Sequence, residues 1–236
     1  GKKTIPVFHI YLGTDYYNVG KETAKYLVDK GATVLITGRS QERLDEAQKY
    51  TGAKTILFDI SDLDNMNQSA KACLDVLGGR VDALINNAGI GSFDKLDDIT
   101  LEQFQTIFNT NVFGLALLTK ELIPSMKAHK SGSIINIGSS ASVKGFSHGS
   151  VYSASKFAVR SLTQCWQAEL RPFNIRVCQL NPSEVTTAFY SEDRSERVDE
   201  DNKLSAHEIA HSIVSVLEMD DKGFITELNV WATNPF

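Results

Sequence analysis

Two hydrophobic periods alternate along the chain. Short apolar runs, most of them rich in β-branched residues, occur at 5–12, Thr33–Thr37, Thr55–Phe58, Ala83–Asn86, Ser133–Ile137, Ile175–Leu180 and from Phe224 to Trp231. Between them, apolar positions recur at helical spacing over 19–30, from about Gln41, near 62–77, over 101–129, from Tyr152 to about Leu170, and near 206–218. Continuous runs of strand length suit strands covered on both faces, and the longer spacing suits amphipathic helices. The alternation predicts βαβ units and a doubly wound α/β fold, with about seven parallel strands and helices on both faces. Thr100 with Gln103, and Ser205 with Glu208, have the spacing of capping boxes that open two of the helices. Gly31 and Pro172 punctuate helix ends. No repeat or linker interrupts the pattern, so 1–236 is read as a single domain. In such a sheet, ligands bind beyond the carboxyl ends of the strands. Loops 13–19, 38–40, 59–61, 87–93, 138–148 and 181–204 therefore form the expected functional edge.

Composition narrows the function. A chain of 236 residues with 42% hydrophobic content can bury a sizeable core. A net charge of -5 offers no basic footprint, which argues against nucleic acid or an anionic membrane as partner. The apolar runs are strand-sized, so no membrane-spanning helix is expected. Residues 1–10 show no leader pattern. Cys73, Cys165 and Cys178 lack CxxC spacing and read as buried small hydrophobes in a reducing cytoplasm. The expected location is cytoplasmic.

Tyr152-Ser153-Ala154-Ser155-Lys156 carries the most chemistry. On a helix, Tyr152 and Lys156 share one face, one turn apart. An ammonium beside a phenol favours the phenolate, which suits a general acid/base at a carbonyl or alcohol. Other features stand around this pair. Asn86-Asn87-Ala88-Gly89 follows the fourth apolar run, and Asn111-Val112-Phe113-Gly114 lies on the long helix. Ser139 ends the fifth run, 13 residues before Tyr152, and Asn181-Pro182 precedes Val185 and Thr187. In this order and spacing, the chain resembles the short-chain dehydrogenase/reductases over nearly its whole length.

The resemblance implies a Rossmann-like dinucleotide-binding and catalytic domain that moves a hydride between a nicotinamide and a carbonyl or alcohol. Ketone, aldehyde and 3-oxoacyl reduction all fall within that range. It implies Tyr152 as proton donor or acceptor at the substrate oxygen, and Ser139 as a hydrogen-bond donor to it. Lys156 would hold the nicotinamide ribose and lower the tyrosine pKa, and Asn111 would support a water leading from Lys156 to solvent. Ser140 and Ser142 adjoin Ser139, and spacing alone selects among the three. The family also implies a homodimer or homotetramer.

The cofactor loop departs from the family's Thr-Gly-xxx-Gly-x-Gly. Here Leu12-Gly13-Thr14-Asp15-Tyr16-Tyr17-Asn18-Val19-Gly20 keeps the last glycine and places Asn18 at the middle one. Gly13 and Thr14 share the front, depending on a one-residue insertion. Asn tolerates left-handed backbone better than most residues. Gly38 and Arg39 stand where an acidic residue would bind an NAD ribose, so NADP(H) is preferred and NAD(H) stays open. The resemblance places Asp59, Asn87, Ala88 and Gly89 around the adenosine, and Pro182, Val185 and Thr187 beside the nicotinamide. The altered loop keeps a second reading open, a regulatory or binding module with impaired nucleotide binding. A third comes from His207-Glu208-Ile209-Ala210-His211, which matches the HExxH pattern of zinc hydrolases. It lacks a third ligand in the expected extension, and Ser205 gives Glu208 a capping role instead, so no metal is expected.

Overall fold

The computed structural model describes residues 9–13, 17–186, 200–220 and 222–235. Strand β1 (His9–Gly13) leads through helix α1 (Tyr17–Asp29) to β2 (Thr33–Gly38), and α2 (Gln41–Thr51) leads to β3 (Lys54–Leu57). Helix α3 (Met66–Val76) then crosses to β4 (Ala83–Asn86). Helices α4 (Leu101–Phe108) and α5 (Leu115–His129) precede β5 (Gly132–Ile137), and α6 (Ser150–Leu170) precedes β6 (Ile175–Pro182). Helix α7 (Ala206–Leu217) and β7 (Glu227–Val230) complete the order. The seven strands form one sheet in the order β3-β2-β1-β4-β5-β6-β7, parallel throughout. The chain winds outward from β1 to β3, returns past β1, and winds outward again. A crevice therefore opens where β1 and β4 diverge into opposite-going connections.

The inner strands β2, β4, β5 and β6 are buried on both faces because their residues alternate between two apolar layers. Leu84, Ile134 and Val177 pack with Leu118, Leu122 and Met126 of α5. Ile85, Ile135, Cys178 and Leu180 pack with Ala24 and Leu27 of α1 and with Ile209 and Ile213 of α7. Each such side chain contributes roughly 1.5–3 kcal/mol, so these layers supply most of the drive to fold. Both capping boxes form: Thr100 Oγ1 accepts from Gln103 N, and Glu208 accepts from Ser205 N.

Three details depart from the sequence pattern. The expected continuous helix over 101–129 is split by a π-helical turn at Asn109–Gly114, which widens the backbone where Asn111 turns inward. Cys165 is exposed, because its position on α6 faces away from the sheet. Cys73 and Cys178 are buried, and that burial pushes both thiols up to about 12. The third is a polar row across an otherwise apolar sheet. Asn86, Asn136, Gln179 and Glu227 are register partners on adjacent strands. Asn86 Nδ2 donates to Asn136 Oδ1 at 2.8 Å, and Asn136 Nδ2 donates to Thr163 Oγ1 at 2.8 Å. Thr163 Oγ1 donates to Gln179 Oε1, whose Nε2 donates to Asn181 Oδ1. Asn181 Nδ2 reaches Glu227 Oε1, and Arg160 closes the line on Glu227 Oε2. No helix among the described residues is long and apolar enough to cross a membrane.

Candidate active site

Helix α6 brings Tyr152 and Lys156 to one face, and both are buried. The Lys156 Nζ lies 5.8 Å from the centroid of the Tyr152 ring. It donates to the carbonyl of Ile137, the last residue of β5, at 2.9 Å. The strand end thus aims the lysine, and full burial pulls its pKa from the ordinary 10.5 down to about 8. At neutral pH the group is still mainly an ammonium, so it still favours charge on a neighbouring phenol.

Ser139 stands two residues beyond Ile137. Its extended backbone caps a single 3₁₀ turn, Ser140–Ser142, and its Oγ accepts from Ala141 N at 3.1 Å. That bond uses an oxygen lone pair and leaves the hydroxyl proton to donate elsewhere. Ser142 is fully buried, and its Oγ accepts from Ser139 N. This local cap makes Ser142 a clamp and leaves Ser139 half-exposed at the strand end. The backbone beneath is crowded. A Cβ at Gly138 would overlap Asn181 Oδ1 and Gln179 Nε2, so only glycine lets the polar row close against this strand end.

Asn111 is buried and uses its whole amide. Its Oδ1 accepts from Ile90 N at 2.8 Å, and its Nδ2 donates to Ile90 O and to Ser155 Oγ. Ser155 Oγ in turn donates to the Tyr152 carbonyl at 2.7 Å. The side chain therefore ties the loop after β4 to the helix carrying Tyr152.

The remaining expected positions among the described residues line the carboxyl edge of the sheet. Gly13 ends β1, and Val19 and Gly20 are buried in the first turn of α1. Asn18 Oδ1 is buried there with no hydrogen-bond partner among the described residues. Arg39 is exposed just past Gly38, where β2 ends. Asp59 follows β3, and its Oδ1 accepts from Ser61 N and Ser61 Oγ. Asn87, Ala88 and Gly89 are buried after β4. Pro182 ends β6, and Val185 pairs with Leu204. Thr14 and Thr187 lie outside the described residues. A helix that starts just after β1 with the buried Gly20 in its first turn, and an exposed arginine at the second strand's end, fit a dinucleotide laid across this edge.

His207, Glu208 and His211 are exposed on α7. The Glu208 carboxylate accepts from Ser205 N and Oγ, and these bonds hold its pKa below the usual range. His207 lies 3.1 Å from the Tyr26 hydroxyl. Among the described residues, no three His, Cys, Asp or Glu side chains gather as metal ligands do.

Sequence reasoning missed the rings around Tyr152. Phe93 meets its ring edge-on at 5.5 Å, and Phe146 lies 6.0 Å beyond Phe93. Both sit in loops on the expected functional edge, but no periodicity links loop residues so far apart in sequence.

Comparison with known proteins finds relatives that span most of this chain. The family model for short chain dehydrogenase matches residues 17–198. Dehydrogenase/reductase SDR family member 7B of Xenopus laevis is 36% identical over 180 residues, covering 72% of this chain and 55% of that protein. The chain thus spans little more than half the length of that relative. An uncharacterized oxidoreductase of Staphylococcus epidermidis is 29% identical over 215 residues, covering 90% of this chain and 91% of its own. Among solved structures, a metagenomic short-chain oxidoreductase in complex with NADP superposes with a TM-score of 0.83 at 26% identity, covering 97% of this chain and 98% of that one.

Proposed function

The chain belongs to the short-chain dehydrogenase family, and we propose on that premise that it is an NADP(H)-preferring reductase of ketones or aldehydes. The observation that carries this reading is the buried Tyr152–Lys156 pair, with Lys156 hydrogen-bonded to the β5 end that also carries Ser139. A bound nicotinamide supplies the hydride to the carbonyl carbon or accepts it from the alcohol. Tyr152 gives its phenolic proton to the oxygen as the C–O double bond becomes single, and takes that proton back in the reverse direction. Ser139 donates a hydrogen bond to the same oxygen, where negative charge develops, and two donors there stabilise it best. Lys156 stabilises the phenolate left behind and reaches the ribose. Gly13, Asn18, Val19 and Gly20 would hold the pyrophosphate, and Arg39 the extra phosphate of NADP(H). Asp59, Asn87, Ala88 and Gly89 would border the adenosine, and Pro182 and Val185 the nicotinamide. The exposed Leu101, Phe113 and Phe157 support assembly into a homodimer or homotetramer. A cytoplasmic setting and a single domain complete the reading.

A carbonyl-compound screen that follows NADPH and NADH oxidation tests it. Turnover with NADPH is expected, and Tyr152→Phe should lower kcat roughly a thousandfold with an unchanged circular dichroism spectrum. Arg39→Asp should shift the preference toward NADH. Full activity in the phenylalanine variant would refute the acid/base assignment. Failure to bind either dinucleotide would favour the regulatory or binding module.

A further inference from the structure

Three aromatic rings run outward from the centre of the site. Tyr152 is 3% exposed, Phe93 is half-buried, and Phe146 is 49% exposed. Phe93 meets Tyr152 at 65° and Phe146 at 39°, so the rings form a continuous stepped surface. Core packing does not account for them, since none of the three belongs to any of the hydrophobic clusters on either face of the sheet.

The wall is held in place from behind. The loop carrying Phe93 is tied at both ends: Asn111 binds both backbone groups of Ile90, and Asp94 Oδ2 accepts from Ser92 Oγ and from Gln103 Nε2 at 2.6 Å. Phe146 opens a turn in which Gly149 N donates to Phe146 O at 3.1 Å, with His148 in left-handed backbone at φ 65°. The Phe146 ring lies flat against Gly149, where a Cβ would come within 2.5 to 2.7 Å of the ring atoms. An exposed ring is therefore backed on one face by the Gly149 backbone without being buried. Val143, 38% exposed, extends the apolar surface along the same loop. Preorganised apolar surface of this kind repays contact with a ligand, because little ordering remains to be done on binding.

We infer that Phe93 and Phe146 form a specificity wall that selects carbonyl compounds bearing an aryl group or a long alkyl chain on one side of the carbonyl, over sugars and small ketones. The inference rests on the reductase reading for the placement of the carbonyl at Tyr152. The wall itself stands on its own geometry. Phe146 touches the substrate's apolar substituent and Phe93 bridges that contact to the phenol, so Phe146 is the residue to change.

Acetophenone and butanone serve as probes, since each carries a carbonyl but only one carries a ring. Wild-type protein, Phe146→Ala, Phe146→Leu and Gly149→Ala are compared by ligand-observed NMR titration without turnover, and by kcat/KM with NADPH. Phe146→Ala should weaken acetophenone binding, and lower its kcat/KM, by roughly tenfold or more. Butanone should change by less than about twofold. Phe146→Leu should retain most of the affinity. Gly149→Ala should act in the same direction as Phe146→Ala, because the new methyl displaces the ring instead of deleting it. Equal affinity for acetophenone in wild type and Phe146→Ala would overturn the wall, as would wild-type protein that binds no acetophenone. A Phe146→Ala variant with unchanged affinity but altered mass by light scattering would assign the ring to a subunit contact, and would also overturn it. Ring-dependent binding with no turnover of either ketone would uphold the wall and refute the reductase reading.

Discussion

Replacing Lys156 by methionine in a Tyr152→Phe background isolates the cost of a buried ammonium, because no phenol remains beside it to titrate. Burial lowers the lysine pKa from 10.5 to about 8. At ~1.4 kcal/mol per pH unit, the charge costs the folded state about 3 kcal/mol near neutral pH. The sign follows from proton counts. Between pH 8 and 10.5 the unfolded lysine binds more proton than the folded one, so stability rises with pH across that window. Below about pH 8 both states are protonated and the penalty is present in full. The stability of the lysine protein, minus that of the methionine variant, should therefore be flat below about pH 7.5 and climb by about 2 kcal/mol by pH 10. Methionine also strips the Ile137 carbonyl of its donor, at a cost of about 1–3 kcal/mol at every pH. The absolute difference at pH 7 can take either sign, and the slope is the discriminating quantity. Urea unfolding at fixed protein concentration from pH 7 to pH 10 measures it. Parallel curves for the two proteins would show that the folded lysine titrates as it does in water, and would refute the account of its burial.

Two further outcomes follow from contacts around the site. Gly138→Ala should lower the urea midpoint by the equivalent of about 2 kcal/mol or more, since the new methyl overlaps Asn181 and Gln179 and forces the polar row apart; an unchanged midpoint would show that the row yields freely. Asn111→Leu should cost about 2 kcal/mol and accelerate hydrogen exchange at the Ile90 amide, because both backbone groups of Ile90 lose their partner; normal protection of Ile90 would refute the clamp.

Much of the architecture was legible before any tertiary contact. Apolar runs of strand length, separated by helix-length spacing, predicted the parallel sheet, because those periods follow from backbone geometry alone. Thr100 and Ser205 announced their helices, since a cap and its partner lie three residues apart and meet wherever the helix forms. Tyr152 and Lys156 share a face for the same local reason. The expectations that departed were of another kind. Composition predicts a buried Cys165, but which side of α6 faces the sheet depends on what α6 packs against. The helix over 101–129 was read as continuous, but its π turn brings Asn111 toward Ile90, a residue on another loop.

The sequence by itself therefore determined the elements, their order, and the placement of Tyr152 and Lys156 on one face of one helix. Tertiary structure decided what surrounds that pair. The Ile137 carbonyl aims Lys156, Asn111 ties the loop after β4 to α6, and Phe93 and Phe146 step outward from the phenol. The line of amides from Asn86 to Glu227 exists only because four strands, distant in the chain, align in register. Local periods repeat over a few residues and carry no record of strand order or register, and those two quantities set the distance between every pair of groups on this edge.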